Sequence, residues 1–285
     1  MTVADEAAQY GLHRVGGRPP LGQYLAEVWQ RREFVFSLSK FRLEAEFSAN
    51  RIGMGWILLR PILNAAIYGL IFGVLLQTRR NVDSFIAFLV VGVMLFEFFQ
   101  ACFTAGAKSI TSNQALVQSL SFPRLALPLA LVLQKLMQFL PTLSIVLIVA
   151  VANGSRPSLT WLLLIPLIAL FAVFNTGLTF ITARLTVHFR DLTQLLPFLS
   201  RMFFYTSGIF FSIEQRFSDH PTALKIVDWQ PIHEVLTLGR AIVLDGPQYQ
   251  IPTEYWAYLS IWAFGLLALG TIFFWSAEER YGRTD

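Results

Sequence analysis

Charged residues and cysteines are both scarce in this sequence. Of its 285 residues, 55% are hydrophobic, 14% are charged and one is a cysteine. A soluble domain carries about 25% charged residues, so this composition indicates a protein whose solvent is lipid. Cys102, inside an apolar run, can form no disulfide within the chain. The net charge of +4 is too small and too scattered for nucleic-acid binding.

The motifs of common catalytic and nucleotide-binding sites are missing as well. The sequence has no Gly-x-x-x-x-Gly-Lys-Ser/Thr loop, so the chain has no standard site for ATP. It has no nucleophile elbow and no His-Glu-x-x-His motif, and its histidines are too far apart to suggest a metal site. We therefore predict no enzyme and no metal ion, and any ATP that drives the protein must be hydrolysed by another chain.

Long apolar runs are what the sequence has in abundance. A helix needs about 20 apolar residues to cross a bilayer. The runs that meet this length are 56–77, 85–104, 126–150, 159–183, 192–213 and 255–276. Glu97 in the second run costs about 3 kcal/mol in the bilayer, which its Leu, Ile, Val and Phe neighbours offset. The predicted fold is an all-α integral membrane protein whose six spans occupy 54–285.

The first 50 residues are too polar to span. Residues 1–30 contain Gly and Pro pairs that break helices, and they are interpreted as a mobile cytoplasmic arm. Residues 31–50 carry apolar residues on two sides at helical spacing, which predicts an amphipathic interface helix on the membrane surface. Lys and Arg are more frequent in the segments on the side of the N-terminus. Both termini are therefore predicted to be cytoplasmic.

The segment 213–254 differs from the other connections. It holds two apolar clusters that are each too short to cross a bilayer, and acidic residues outnumber basic ones in it. Pro231 suits the first turn of a helix, and Gly246–Pro247 suits its end. We interpret the segment as a re-entrant or surface-lying helical hairpin on the outer face, where backbone can be buried in protein.

The segment Lys108–Pro128, between the second and third runs, is polar, then weakly amphipathic, then broken by Pro123. It predicts a short cytoplasmic helix that re-enters the membrane. Its recognisable positions are Asn113, Leu116, Val117, Phe122, Pro123 and Arg124. This pattern, with Phe189–Arg190–Asp191–Leu192, resembles the permease subunits of bacterial polysaccharide ABC exporters, those for O-antigen, teichoic acid and galactan. The Ser207-Gly208-Ile209 form is similar to the actinobacterial galactan branch.

The resemblance implies an architecture and a set of partners. Residues 108–124 would form a coupling helix that docks on an ATPase, Arg190 and Asp191 would make a second contact, and 217–247 would be outer gate helices. The permease would be a homodimer with two ATP-binding cassette subunits, which bind the MgATP, while this chain holds no cofactor. The cargo would be a polyprenyl-pyrophosphate-linked glycan, exported across the bacterial inner membrane for cell wall biogenesis.

Charged residues inside predicted spans are the candidate binding groups. Arg60, Lys135, Arg201 and Glu97 fall in the cytoplasmic half of their runs. In one interpretation Glu97 neutralises one base and the long side chains reach the interface. In the other, Arg60 and Arg201 bind the pyrophosphate of the lipid-linked cargo, because guanidinium groups bind two phosphate oxygens together.

The many aromatic residues leave two interpretations open. The run 203–211 contains Phe204 and Tyr205, and its rings either pack within the protein or line a path on which the flat faces of sugars stack. We expect Phe204 and Tyr205 to line such a path. The alternatives for the whole chain are an exporter of drugs or small lipids on the same scaffold, and a membrane-embedded lipid-modifying enzyme.

Overall fold

The computed structural model describes residues 19–48, 51–71, 85–119, 122–213, 227–278 and 281. All regular structure in these ranges is helical, in agreement with the predicted class. The α-helices are α1 Leu21–Gln30, α2 Arg32–Ser48, α3 Trp56–Tyr68, α4 Phe85–Ala107, α5 Gln114–Ser119, α6 Ala126–Ala152, α7 Leu164–His188, α8 Leu192–Thr206, α9 Pro231–Val243 and α10 Thr253–Trp275. Short 3₁₀ turns at Gly53–Gly55, Thr111–Asn113 and Leu159–Leu163 precede α3, α5 and α7.

Five helical segments in the described part of the chain are long and apolar enough to cross a membrane. They are Gly53–Ile71, Phe85–Ala107, Ala126–Ala152, Leu159–His188 and Thr253–Trp275. The predicted count of six spans is therefore not confirmed. The difference lies at 192–213, where α8 has only 15 residues. At 1.5 Å per residue this helix is about 22 Å long, short of the bilayer core of about 30 Å.

Helix α8 ends early because the chain turns at Gly208. The φ angle of Gly208 is +74°, a left-handed conformation that glycine adopts without steric cost. The carbonyl groups at a helix end lack N–H partners within the helix. Here the side chain of Arg240 supplies the missing donors. Arg240 donates from Nη1 to the carbonyl oxygen of Gly208 at 2.9 Å and from Nη2 to that of Ile209 at 3.0 Å. An apolar run thus contains a break that composition alone does not reveal.

Arg240 also joins α9 to α4. Its Nε atom donates to the carbonyl oxygen of Phe88 at 3.2 Å, and its Cζ atom lies 3.4 Å from the centre of the Phe88 ring. The guanidinium occupies the space beside Gly92, where a Cβ atom would lie 2.5 Å from Nη2. Although Arg240 is only 5% exposed, this set of acceptors lets a buried cation stay in the protein.

Helix α4 is the centre of the bundle. Most of its side chains are buried, and it packs against α3, α6, α7, α8 and α9. Beside it, α7 and α10 cross so closely that a Cβ atom at Gly270 would lie 2.4 Å from the carbonyl oxygen of Gly177. Glycine at both positions lets the two backbones touch, which is how helices pack closely in lipid.

The N-terminal helices pack on the bundle. Residues 21–30 lie in the predicted mobile arm, but they form α1, whose Tyr24 and Val28 are buried. The arm therefore does not extend over these residues. Helix α2 overlaps the predicted interface helix 31–50 and is anchored on α6, because Ser39 Oγ donates to the carbonyl oxygen of Ala130 at 2.8 Å. Its position on the membrane surface stays a prediction.

The bundle has two ends with different loops. One end, called here the coupling end, holds α1, α5 and the residues that follow α7 and α10; Arg124 and Glu278 meet there at 2.9 Å. The other, called the hairpin end, holds the loop 153–160 and the end of α9, where the Arg156 backbone N–H donates to Asp245 Oδ2 at 2.7 Å. The first arm of the predicted hairpin, up to residue 226, lies outside the described residues. Helix α9 occupies the position predicted for the second arm, and the hairpin itself is not confirmed.

Replacing Arg240 with Lys tests the clamp on the end of α8. Lys keeps the charge but loses the planar set of donors, and a hydrogen bond to a charged group contributes about 1.5–3 kcal/mol. We expect Arg240→Lys to lower the apparent melting temperature of the purified protein by several degrees, as measured by differential scanning fluorimetry. Arg156→Lys, at an exposed position of the hairpin end, serves as the control. Equal melting temperatures for the two variants would contradict the assignment.

Candidate functional site

A cavity of about 330 Å³ lies among α2, α3, α4 and α6. Three of the four charged residues predicted inside spans line it, namely Arg60, Glu97 and Lys135. Each comes from a different helix, so the cavity exists only once the bundle is assembled. Aromatic and aliphatic side chains complete the lining, including Phe47, Trp56, Met94, Phe98 and Phe139.

Lys135 is paired, but with an acid that sequence reasoning did not consider. Its Nζ atom lies 2.9 Å from Glu46 Oε2, and the side-chain amides of Gln134 and Gln138 donate to the same oxygen at 2.8 and 2.6 Å. Burial raises the pKa of Glu46, but the hydrogen bonds from Lys135 and Gln138, with the charges of Lys135 and Arg60, outweigh it and hold the pKa below its usual range. Helix α2 thus neutralises Lys135.

Arg60 and Glu97 remain on the cavity wall with different surroundings. Glu97 accepts a hydrogen bond from the Asn64 side-chain amide, one helical turn beyond Arg60 on α3. Arg60 is exposed and makes no hydrogen bond or ion pair among the described residues. No ion pair joins Glu97 to a base among the described residues, although Arg60 is near enough for its charge to act on Glu97, so the predicted charge pairing stays a prediction. Arg60 keeps its donors available to a ligand in the cavity.

Arg201 and the two candidate aromatic residues lie on α8. Arg201 is exposed and is not among the residues that line the cavity. Phe204 packs within the protein, with ring centroids 5.1 Å from Phe96 and 5.1 Å from Phe210. Tyr205 is 58% exposed whereas Phe204 is partly buried, so the Tyr205 ring is the more accessible of the two to a ligand.

The predicted coupling segment, 108–124, contains the 3₁₀ turn at Thr111–Asn113 and the short helix α5. Asn113 Oδ1 accepts a hydrogen bond from Arg42 Nη2 at 3.0 Å, which connects the segment to α2. Leu116 is partly buried, and Phe122 packs on Phe34 with ring centroids 5.4 Å apart.

Two of the predicted contact residues face inward. Val117 is only 4% exposed, and Pro123 is buried. Their side chains are not available to a partner in this conformation, and their contact with another chain stays a prediction. Among the residues of α5 whose side chains the structure describes, Gln114, Ala115 and Gln118 are exposed.

Arg124 is held by Glu278, which lies just after α10. Its Nη1 atom donates to the Glu278 carbonyl oxygen at 2.9 Å, and its backbone N–H donates to Glu278 Oε1 at 3.0 Å. Tyr24 Oη donates to Glu278 Oε2 at 2.7 Å and accepts from the Leu125 backbone N–H at 3.1 Å. Burial raises the pKa of Glu278, and these hydrogen bonds oppose the rise. Sequence reasoning missed Tyr24 and Glu278 because they are remote from Arg124 along the chain.

Arg190 and Asp191 are exposed at the turn between α7 and α8. The preceding residue, Phe189, is 68% exposed. This turn belongs to the coupling end, because Arg184, in the last turns of α7, hydrogen-bonds Ser276 just after α10. An aromatic ring flanked by charges at the end of a membrane bundle is a surface suited to a protein partner.

The fold and the site together define a multi-pass membrane protein with a charged cavity among its helices and a polar surface at one end. The sequence profile of the ABC-2 type transporter family matches residues 36–229. The chain therefore belongs to the ABC-2 type transporter family, which confirms the resemblance inferred from the Phe-Pro-Arg segment.

Curated relatives lie within the same family. The chain is similar to the O-antigen export system permease protein RfbA of Myxococcus xanthus, with 28% identity over 221 residues that cover 77% of this chain and 83% of the relative. It is also similar to the O-antigen export system permease protein RfbA of Klebsiella pneumoniae, with 27% identity over 243 residues that cover 84% and 90% of the two chains.

Replacing Glu278 with Ala tests how the coupling segment is held. The Arg124 and Glu278 side chains are only 18% and 7% exposed, and breaking such a pair costs about 3 kcal/mol. We expect trypsin to cut after Arg124 at least about tenfold faster in Glu278→Ala, because the segment opens more often. Glu44→Ala removes an exposed ion pair with Lys40 and should leave this rate unchanged. A normal rate in Glu278→Ala would refute the assignment.

Proposed function

We propose that the chain is the transmembrane permease subunit of an ATP-driven ABC exporter that moves a lipid-linked polysaccharide out of the cytoplasm. The relatives in Myxococcus and Klebsiella are named as O-antigen export permeases, which supports a glycan cargo. The permease acts as a homodimer with two ATP-binding cassette chains. Its membrane is the bacterial inner membrane, with both termini in the cytoplasm, as the distribution of Lys and Arg favours.

The observation that carries the proposal is that the Arg60 guanidinium lines the cavity without a hydrogen bond or ion pair among the described residues. A cation within a membrane span costs several kcal/mol unless it is paired or used. Arg60 feels the charges of Glu46 and Glu97 but makes no hydrogen bond or ion pair among the described residues, whereas nearby Lys135 is paired with Glu46. A guanidinium binds two oxygens of a phosphate group at once. Arg60 therefore binds the pyrophosphate of the polyprenyl carrier, and the glycan follows along the path that Tyr205 borders.

The coupling end provides the contact with the ATPase. The exposed residues of this surface are Gln114, Ala115 and Gln118 on α5 and Phe189, Arg190 and Asp191 after α7. Movement of α5 passes through Val117 and Arg124 to the rest of the chain, because Val117 is buried and Arg124 is bonded to Glu278. The nucleotide and its magnesium ion belong to the partner subunit in this proposal.

Replacing Arg60 with Gln tests the phosphate contact. Gln keeps the polarity and most of the length but loses the charge, and a charge-assisted bond contributes about 1.5–3 kcal/mol. We expect the permease–ATPase complex in nanodiscs to bind a synthetic polyprenyl pyrophosphate about 10–100-fold more weakly in Arg60→Gln. In a permease-deletion strain that expresses Arg60→Gln, the amount of surface glycan should fall together with the binding affinity.

Two matched variants make the result specific. Arg51→Gln changes an exposed arginine that does not line the cavity and should bind normally. Arg201→Gln tests the second predicted phosphate contact by itself. Because Arg201 does not line the cavity, we expect this variant to bind the polyprenyl pyrophosphate normally. Normal binding and export in a well-expressed Arg60→Gln protein would overturn the proposal.

A further inference from the structure

A second, more polar cavity lies at the hairpin end. It has a volume of about 350 Å³ and is enclosed by α9, the start of α4, the chain after α8, and the loop before α10. This volume is at the lower end of the range of about 300–1,000 Å³ for small-molecule sites. Helix α4 has 23 residues, so the cavity lies about 30 Å from the coupling end.

The floor of the cavity is a row of polar residues on one face of α9. His233, Thr237 and Arg240 follow one another at spacings that place them on the same side of a helix. His233 is 3% exposed. Its Nε2 atom lies 3.5 Å from Thr237 Oγ1 and the Ser207 backbone lies near the ring, whereas Nδ1 meets no partner within hydrogen-bond geometry among the described residues. Burial and the charge of Arg240 lower the pKa of His233 to about 4. The ring is therefore neutral at pH 7, with one nitrogen that donates and one that accepts.

Further unused donors and acceptors surround this floor. Gln248 and Gln250 are exposed at the rim, and their amide groups make no hydrogen bond among the described residues. Arg240 uses one N–H on each of its three nitrogens for carbonyl groups, and a guanidinium has five N–H groups. No Asp or Glu is among the described residues that line the cavity. The cavity thus offers both donors and acceptors.

Apolar side chains close the remaining sides. Ile213, Ile251 and Pro252 line the cavity beside the polar groups. A ligand that fits this combination has hydroxyl groups around its edge and C–H groups on its faces. A sugar ring has this chemistry, whereas a purely apolar drug or lipid tail would leave the buried His233 nitrogen and the amides unpaired.

We propose that this cavity binds one sugar unit of the exported glycan after it has crossed the bundle, with Gln248, Gln250, His233 and Thr237 as its polar contacts. The inference rests on the proposed function, since it assumes a glycan cargo. It adds a second substrate contact at the end of the bundle opposite the ATPase. A sugar unit bound there reduces backward movement of the glycan while the permease returns to its inward-facing state.

Saturation-transfer NMR tests the site on the full permease–ATPase complex in nanodiscs. The probes are maltotriose, mannotriose and galactotriose, with inorganic phosphate as a competitor. We expect at least one trisaccharide to bind, and Gln248→Ala/Gln250→Ala to weaken its binding at least about fivefold, because two amide contacts are lost. Thr237→Val, which keeps the side-chain volume, should also weaken it. Gln194→Ala, an exposed glutamine just after the coupling-end turn, should have no effect.

The outcomes separate this inference from the proposed function. No binding of any trisaccharide, unchanged binding in both cavity variants with normal melting temperatures, or displacement of the sugar by inorganic phosphate would each overturn the sugar site. Surface glycan measured in the same strains shows whether the chain exports glycan at all. If export depends on the chain while the NMR result is negative, only the second site is refuted. If export does not depend on it, the proposed function fails.

Discussion

Backbone polar groups that water cannot reach must be paired within the protein, and the pairing by Arg240 is the interaction on which the hairpin end depends. Helix α8 stops at a glycine, and the carbonyl groups beyond it would be costly to bury without donors. Arg240 supplies those donors from α9 and also bonds to the first turn of α4. Gly92 leaves the space that the guanidinium occupies. The Arg240 side chain therefore links three features: the break after α8, the position of α9 and the glycine on α4.

At the coupling end a single charged side chain also pairs buried polar groups, but here it is the carboxylate of Glu278. Glu278 accepts hydrogen bonds from Tyr24, from the Arg124 side chain and from the Arg124 backbone. Three parts of the chain that are far apart in sequence meet at this carboxylate. A displacement of Arg124 is therefore transmitted to α1 and to the end of α10.

The cavity among α2, α3, α4 and α6 shows how a second helix can change the role of a charged residue. Lys135 and Arg60 have the same sign and both line it. Glu46, from the N-terminal helix α2, pairs with Lys135 and leaves Arg60 exposed. The acid expected to pair with a base, Glu97, is instead bonded to Asn64 on α3. The pairing of Lys135 thus depends on the packing of α2 on α6.

The sequence by itself determined the class of the protein, the positions of α4, α6, α7 and α10, and the family, because apolar run length and a short contiguous motif are local properties. It also indicated Arg60 as a candidate, since a charge in an apolar run is conspicuous. Only the tertiary structure decided the end of α8, the packing of residues 21–30 and the partners of Lys135, Arg124 and Arg240. These depend on contacts between residues distant in the chain, and a linear pattern carries no information on which donor reaches which acceptor.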